Sequence, residues 1–549
     1  MKHPFDPFCA GEAFADLDAA WRHDRDSCLE HCRELTRDVR SVNEKVMAHL
    51  QAHLPDPEAD GGQALLLWVD NLAWAGKQYH SVLNRWISDY IDQAPRLNPG
   101  SRSRAHFWMR QVMEMLAPGN FFWSNPEAVR RFLKSRGESL NQGLHNRLED
   151  IQNEQGLVGL VAPGSFEVGR NIAATPGYVV YRNHLFELIQ YAPQTDTVWS
   201  TPIVLIQPWI NKYYIFDLSS RNSFVAFLVR QGFTVFITSW KNPDPSMRSV
   251  SFEDYLLHGA LQAVSVARKI CQSDSVHATG YCIGGTLLAV LLAWLAGQSA
   301  PGPVVDGTLF SSLVDFSDPG DLGAIIHPGA MAVIERLTAC RGILEKHHIA
   351  MTFRMLNPGD LIWRYVVNNY FYGEPPPRSD MLYWNSDGTN LPQTMCMEYL
   401  EWFYLENRLT RSNVLTLGGH SIDLKNVQLP IYIVGSAKDH ICPWRSTFQT
   451  CGLVNSKVRY ILTDEGHITG IVNPPSPWSK KQHWAGAATR RRDADKWLRR
   501  QTPNKGSWWP DWVRWLKPRN GERVAPPPMG SDRYRPIEPA PGSYVREKH

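Results

Sequence analysis

Ser275-Val276-His277-Ala278-Thr279-Gly280-Tyr281-Cys282-Ile283-Gly284-Gly285 runs without a break into the apolar stretch 286–296. The pattern predicts a short buried strand, a tight turn flanked by glycines, and a helix. The turn has the form Gly-x-Cys-x-Gly, in which the central side chain is held out on a sharp strand-to-helix corner as a nucleophile. Strand and helix nearly collide at such a corner, so the positions two before and two after must be small, a demand that Gly280 and Gly284 meet. The same pattern also suits a structural cysteine in a glycine-rich loop, or a phosphate cradle at a helix start. The surrounding chain has to decide.

Working outward, residues 203–206 read as a strand, 223–231 as a helix, 233–238 as a strand, 255–271 as a helix and 307–313 as a strand. Such alternation builds a parallel sheet with helices on both faces. With the corner described above, it points to an α/β protein of the α/β-hydrolase fold. After Asp315 the alternation stops for about a hundred residues, roughly 316–427, rich in aromatic side chains; this reads as a helical cap insertion over the strand ends. Strand patterns resume at 431–435 and 458–462. Upstream, residues from about 10 to 155 read as helical, with Asn125-Pro126-Glu127 as a start signal, and 166–169, 178–183 and 186–191 read as short strands. The expected division is a mostly helical N-terminal domain, 1–195, and a catalytic domain, 196–549. From about 490 the tail mixes Trp and Arg, including Arg490, Arg491 and Arg492, and the Pro-rich part from Ala525 is expected to be poorly ordered.

A cysteine nucleophile needs a base and a carboxylate to orient that base, and in this fold the chain order is nucleophile, acid, histidine. Asp439 follows the strand at 431–435, and His467 follows the strand at 458–462. All three candidates sit beyond the carboxyl ends of strands, where open α/β sheets place their sites. Asp315 is the rival acid and His440 the rival base; Asp439 and His467 are preferred because Gly466 permits a sharp loop carrying the imidazole back over the sheet. For the oxyanion hole, the backbone N–H of Ile283 is expected as one donor. The loop 207–213 is expected to supply the other, from Trp209 or Ile210. Sulfur in place of oxygen favours acyl transfer from coenzyme A thioesters, because thioester-to-thioester exchange is nearly balanced and keeps the acyl group activated.

Composition excludes several classes. Lys and Arg total 57 against 54 Asp and Glu, a net charge of +3, which does not suggest a protein that coats nucleic acid. Nine scattered cysteines without a Cys-x-x-Cys pair argue against a disulfide framework or a zinc site and for a reducing cytoplasm. The start of the chain, residues 1–7, lacks a signal-peptide core, and no apolar run reaches the roughly 18 residues of a membrane span.

Beyond these readings, the chain resembles the polyhydroxyalkanoate synthases, of the longer, single-subunit kind. The resemblance rests on Gly169-Arg170-Asn171, Tyr181-Arg182-Asn183, the run 208–218 beginning Pro-Trp-Ile-Asn-Lys-Tyr, Ser239-Trp240-Lys241-Asn242-Pro243-Asp244, the corner at Cys282, Tyr383-Trp384-Asn385-Ser386-Asp387, Asp439-His440-Ile441-Cys442-Pro443-Trp444 and the run 466–475 beginning Gly-His-Ile-Thr-Gly. It covers most of the chain from about Pro118; the first hundred residues match poorly. The resemblance implies that Cys282 is acylated, that His467 deprotonates it, and that Asp439 orients His467 or helps activate the 3-hydroxyl of the incoming monomer. It further implies an (R)-3-hydroxyacyl-coenzyme A substrate, a polyester product growing on the enzyme with release of coenzyme A, no cofactor, a homodimer, and a cytoplasmic location at the surface of storage granules. Two rival readings are a hydrolase of the same fold, a thioesterase or polyester depolymerase, and a non-catalytic granule-binding protein using the helical region and the Trp-rich tail. A closed aromatic cap favours transfer over hydrolysis.

Overall fold

The computed structural model describes residues 10–55, 60–154, 156–298, 302–489 and 493–548. Residues 1–7, Cys9 and the Arg490, Arg491, Arg492 run lie outside them. The chain forms two units, Met1–Ser165 with Gly323–Ile325 and Ala350–Arg378, and Phe166–Leu322 with Ile326–Ile349 and Ser379–His549.

The first unit is built on α1 (Ala10–Arg22), α2 (Arg25–Ala52), α3 (Gly61–Asp92), α4 (Pro99–Met115), α5 (Pro126–Lys134) and α6 (Glu138–Asn153). Asp24 restarts the chain between α1 and α2 by accepting from Ser27 N–H at 3.1 Å. Asn125 caps α5 through Ala128 N–H at 3.1 Å, with Pro126 in the first turn, as its sequence predicts. Part of the expected cap belongs here. The carbonyl of Tyr370 occupies the space a Cβ on Gly143 would need, so α6 and the chain at 370 approach backbone to backbone. Tyr370 Oη then donates to Asp150 at 2.6 Å, and Asn146 Nδ2 donates to Asn369 O at 2.8 Å. Arg354 Nη1 caps the Val158 carbonyl at 2.7 Å. The insertion read as one cap over 316–427 is therefore shared out, its middle third packing with the N-terminal helices.

The second unit is an eleven-stranded sheet. Its strands are β1 (Gly177–Arg182), β2 (Phe186–Tyr191), β3 (Ile203–Ile206), β4 (Val235–Trp240), β5 (Val276–Tyr281), β6 (Val304–Phe310), β7 (Ile431–Ser436), β8 (Val458–Thr463), β9 (Gln482–Ala488), β10 (Pro503–Lys505) and β11 (Glu538–Pro539). The order is β10-β9-β8-β7-β6-β5-β3-β4-β2-β1-β11. β4, β3, β5, β6, β7 and β8 are mutually parallel, and the flanking strands pair antiparallel. Because β1 and β2 extend this sheet, the boundary falls at Ser165/Phe166 and not near 195. Residues 166–169 form no strand: Val168 makes only an isolated bridge to Ile172, and Gly169 N–H closes on Ile172 O at 2.8 Å.

The parallel strands are buried on both faces, which is why they read as apolar runs and not as alternations. In β3, Val204 and Ile206 enter one core while Ile203 and Leu205 enter the other. The helices that cover them include α7 (Phe224–Arg230), α8 (Gln262–Cys271), α9 (Ile283–Ala296), α10 (Trp444–Leu453) and α11 (Trp509–Leu516). α9, the longest apolar run, is a core helix; no described helix is long and apolar enough to cross a membrane.

The tail contradicts its composition. β11 pairs with β1, Ile537 and Ala540 donating to Val179 O and Gly177 O at 2.8 and 2.9 Å. Lys212 Nζ donates to the carbonyls of Tyr544 and Glu547 at 3.2 and 3.0 Å. Trp508, Trp509 and Trp512 are buried against Phe224 and Phe310. They are core, and so do not form the exposed aromatic surface that the granule-binding reading required. Pro-rich composition misleads here because the edge of β1 supplies the hydrogen bonds that the segment cannot make for itself.

Candidate active site

The strand order reverses between β3 and β5: the chain leaves β3 outward to β4 and returns to β5 on the other side. A crevice opens at such a point beyond the carboxyl ends of the strands. Cys282 stands there, between β5 and α9, with φ 53° and ψ −125°. Such a backbone costs on the order of 1–3 kcal/mol and persists only where its surroundings impose it. Here Cys282 N–H is fixed to Phe310 O at 2.9 Å, and its carbonyl accepts from Gly285 and Thr286 N–H at 2.9 and 3.2 Å. A Cβ on Gly280 would stand 2.5 Å from Gly284 O and Gly285 Cα, and one on Gly284 would stand 2.5 Å from Ile206 O. Both glycines are required by backbone contact. Gly285 is a third constrained position, here by a side chain: a Cβ there would overlap Ser312 Oγ.

Asp439 lies in the turn after β7. Its Oδ1 accepts from the N–H groups of Ile441 and Cys442 at 3.0 and 2.8 Å, an Asx-type turn that fixes the carboxylate. Its Oδ2 is left to accept from His467 Nδ1 at 2.7 Å. His467 lies after β8, in a loop tied to the acid loop through Lys438 N–H to Glu465 O at 3.0 Å. From the tail, Trp508 Nε1 and Trp509 Nε1 donate to Gly470 O and Ile471 O at 2.8 and 3.0 Å and hold the same loop from behind. Gly466 does not play its expected part: its φ is not positive, and a Cβ there would meet only ordinary contacts. Gly470 is the constrained glycine, a Cβ on it meeting Thr463 Oγ1 at 2.6 Å and Gly466 O at 2.7 Å.

With Nδ1 engaged by Asp439, Nε2 is the ring nitrogen left for sulfur. Donor atoms of His467, Cys282 and Cys442 lie within 4.8 Å of one another. The rival acid, Asp315, serves its own loop, accepting from Ser317 N–H and Asn407 Nδ2, each at 2.9 Å. The carboxylate that meets His467 belongs to Asp439 and not to Asp315.

Cys442, part of the Asp439–Trp444 motif, has no role in the sequence reading, yet the fold brings its thiol beside Cys282. The signal was the Asp at 439, whose side chain folds positions two and three further on back toward itself. The Cys282 thiol is lowered from 9.0 to about 5, chiefly by the Cys442 hydrogen bond, with the charge and hydrogen bond of His467 and the Ile283 N–H working in the same direction against burial. Burial alone would lower His467, but the charges of Asp439 and Cys282 and the hydrogen bonds to both raise it to about 10. Cys442, which donates to Cys282 and is buried, is pushed well above the ordinary thiol range. These shifts favour a thiolate–imidazolium pair at Cys282 and His467, with Cys442 kept as the thiol.

Cys282 is 8% exposed and the His467 side chain 9%. Burial raises Tyr399 and Tyr404 well above the ordinary phenol range, and Tyr399 Oη donates to Thr286 Oγ1 at 3.3 Å. Ile283 N–H points at the Cys282 sulfur from the first turn of α9, where no helical carbonyl claims it. Ile210 lies in the loop after β3, its carbonyl accepting from Thr389 N–H at 3.1 Å and the Trp209 carbonyl from Thr389 Oγ1 at 2.5 Å.

A parallel sheet with a strained cysteine corner, and an Asp–His pair arriving from later strand ends, defines an enzyme of the α/β-hydrolase class. The model of the α/β-hydrolase fold matches residues 202–474, and that of the poly-β-hydroxybutyrate polymerase (PhaC) N-terminus matches residues 66–228. The chain is 39% identical over 510 residues to the poly(3-hydroxyalkanoate) polymerase subunit PhaC of Cupriavidus necator, covering 92% of this chain and 86% of that one. It is 37% identical over 538 residues to the poly(3-hydroxyalkanoate) polymerase of Methylorubrum extorquens, covering 96% and 88%. It is 38% identical over 473 residues to poly(3-hydroxyalkanoate) polymerase 2 of Ectopseudomonas oleovorans, covering 86% and 83%. The chain belongs to the poly(3-hydroxyalkanoate) polymerase family and is an acyltransferase.

Proposed function

We propose that the protein polymerises (R)-3-hydroxyacyl-coenzyme A through an acyl chain carried on Cys282. The observation that carries this reading is the Cys282 corner facing an imidazole whose other nitrogen is held by Asp439 at 2.7 Å. The thiolate attacks the thioester carbonyl. The developing oxyanion is met by the Ile283 N–H and by a second donor from the 209–210 backbone, Ile210 being the preferred one. Coenzyme A leaves as its thiol, taking the proton from His467. The hydroxyl of the next monomer gives its proton to His467 and attacks the acyl-sulfur carbonyl, returning the thiolate and lengthening the ester by one unit.

Asp439 acts as an orienter in this scheme. Its side chain is buried, with Oδ1 accepting two backbone N–H groups and Oδ2 engaged by His467 Nδ1, which supports the orienting role. No cofactor enters the scheme, coenzyme A being part of the substrate. The homodimer and the cytoplasmic granule surface implied by the family belong to the same proposal. Incubation with (R)-3-hydroxybutyryl-coenzyme A tests it: polymer with stoichiometric thiol release is expected. Free 3-hydroxybutyrate would instead make the protein a hydrolase of this fold.

A further inference from the structure

The site holds one soft ligand more than acyl transfer requires. In the scheme above one thiolate and one imidazole suffice, yet a second sulfur, Cys442, is 4% exposed beside them, and the three donor atoms lie within 4.8 Å of one another. We propose that Cys282, Cys442 and His467 form a binding site for a thiophilic divalent cation of the zinc class, whose occupation blocks the acyl-accepting sulfur. The inference rests on the catalytic reading only for that last clause; the binding itself does not.

Two sulfurs and one imidazole nitrogen are the donor set of an ion with three protein ligands and one open position. Zinc–sulfur bonds of about 2.3 Å and zinc–nitrogen bonds of about 2.0–2.1 Å put such donors roughly 3.6–3.8 Å apart. From a separation of at most 4.8 Å, side-chain rotations worth roughly 1 Å close the set. The outer shell is already present. A ligating histidine needs its second nitrogen held by an acceptor, and Asp439 Oδ2 holds Nδ1 at 2.7 Å, which directs Nε2 to the ion. The other oxygen of Asp439 fixes the backbone N–H of Cys442 at 2.8 Å, so one carboxylate sets two of the three ligands. Cys282 is set independently by its strained corner.

On binding, two sulfur–metal bonds and one nitrogen–metal bond form. The Cys442 thiol proton and the proton held by His467 are released to solvent, and no oxidation state changes. Once Cys282 carries an acyl group its sulfur is a thioester and no longer a thiolate ligand, so only the unacylated enzyme binds the ion. Local spacing does not reveal this set, because the residues are 160 and 25 positions apart and meet through the parallel order of β5, β7 and β8.

The test is a titration of the full-length, reduced protein with Co2+ and Zn2+, read by thiolate-to-cobalt charge-transfer absorption and by equilibrium binding. One ion per chain with sulfur-based absorption is expected, displaced by Zn2+ and removed by a chelator. Cys442→Ser and Cys282→Ser should each weaken it at least 100-fold, and Asp439→Asn about 10- to 100-fold. The surface cluster Glu345, His347 and His348 is a rival site, so His347→Ala/His348→Ala should leave the sulfur signal intact. Prior acylation with substrate should protect against binding. Absence of a sulfur signal, or an affinity indifferent to Cys442→Ser, overturns the proposal. If polymerisation still depends on Cys282, that failure leaves the catalytic reading standing.

Discussion

Replacing Asp439 by Asn is isosteric, yet the structure fixes what the new amide must do. Oδ1 of Asp439 accepts two backbone N–H groups, from Ile441 and Cys442. The Asn oxygen has to stay there, since an NH2 group turned toward two donors would leave all of them unsatisfied. The amide nitrogen is then presented to His467 and can only donate, so Nδ1 must become an acceptor and the ring proton moves to Nε2. In that tautomer the imidazole carries its proton on the side of Cys282 and cannot remove the thiol proton. The negative charge that favours the imidazolium is lost as well. At 2.7 Å and an effective dielectric constant near 20, that attraction is on the order of 6 kcal/mol before solvent and relaxation reduce it. A net 3–5 kcal/mol corresponds to a rate loss of about 10²–10⁴, comparable to the same change in a serine triad. The assay is rapid-quench measurement of the first acylation together with steady-state elongation on (R)-3-hydroxybutyryl-coenzyme A. Equal losses in both are expected of an orienter. A first acylation at the native rate with slowed elongation would contradict the orienting role and move Asp439 to the monomer hydroxyl.

Gly284→Ala places a Cβ 2.5 Å from a backbone carbonyl that cannot swing aside, so a destabilisation of about 1–3 kcal/mol by denaturant melting is expected, with an activity loss exceeding it; native activity would contradict the corner geometry. Burial raises Asp217 from 3.8 to about 6, against hydrogen bonds from Thr175 and Ser223. A carboxyl raised in the folded state contributes stability below its unfolded value that is lost as pH climbs through the folded one. Stability should therefore fall by up to about 3 kcal/mol between pH 4 and 6, and Asp217→Asn should abolish that slope in its difference melting curve; a parallel curve contradicts it. Truncation after Val524 removes β11 and the Lys212 contacts, so it should lower the melting temperature by several degrees, where a disordered tail would change nothing.

What the sequence revealed and what it hid divide along physical lines. The Cys282 corner was legible because its demands are local: small residues two positions either side of a nucleophile. Asp439 and His467 were legible from chain order, since each follows a strand of a parallel sheet whose ends converge. The tail was misread because composition reports what a segment can do alone, and β11 is stabilised by the edge of β1, some 360 residues away. The rival granule-binding reading relied on the Trp-rich tail for the same reason, whereas its indole N–H groups hold the His467 loop and Thr308. The cap was drawn as one element because helical periodicity cannot tell which neighbour a helix packs on; Gly143 and Tyr370 decide that. Cys442 was passed over because its meeting with Cys282 exists only in three dimensions.

The central claim is that Cys282 carries the growing chain. Rapid quench at pH 7 during turnover of (R)-3-hydroxybutyryl-coenzyme A, followed by acid proteolysis and peptide mass analysis, tests it directly. 3-Hydroxybutyryl mass increments are expected on the peptide containing Cys282, none on that containing Cys442, and no adduct in Cys282→Ala. Turnover with an unmodified Cys282 peptide would contradict it.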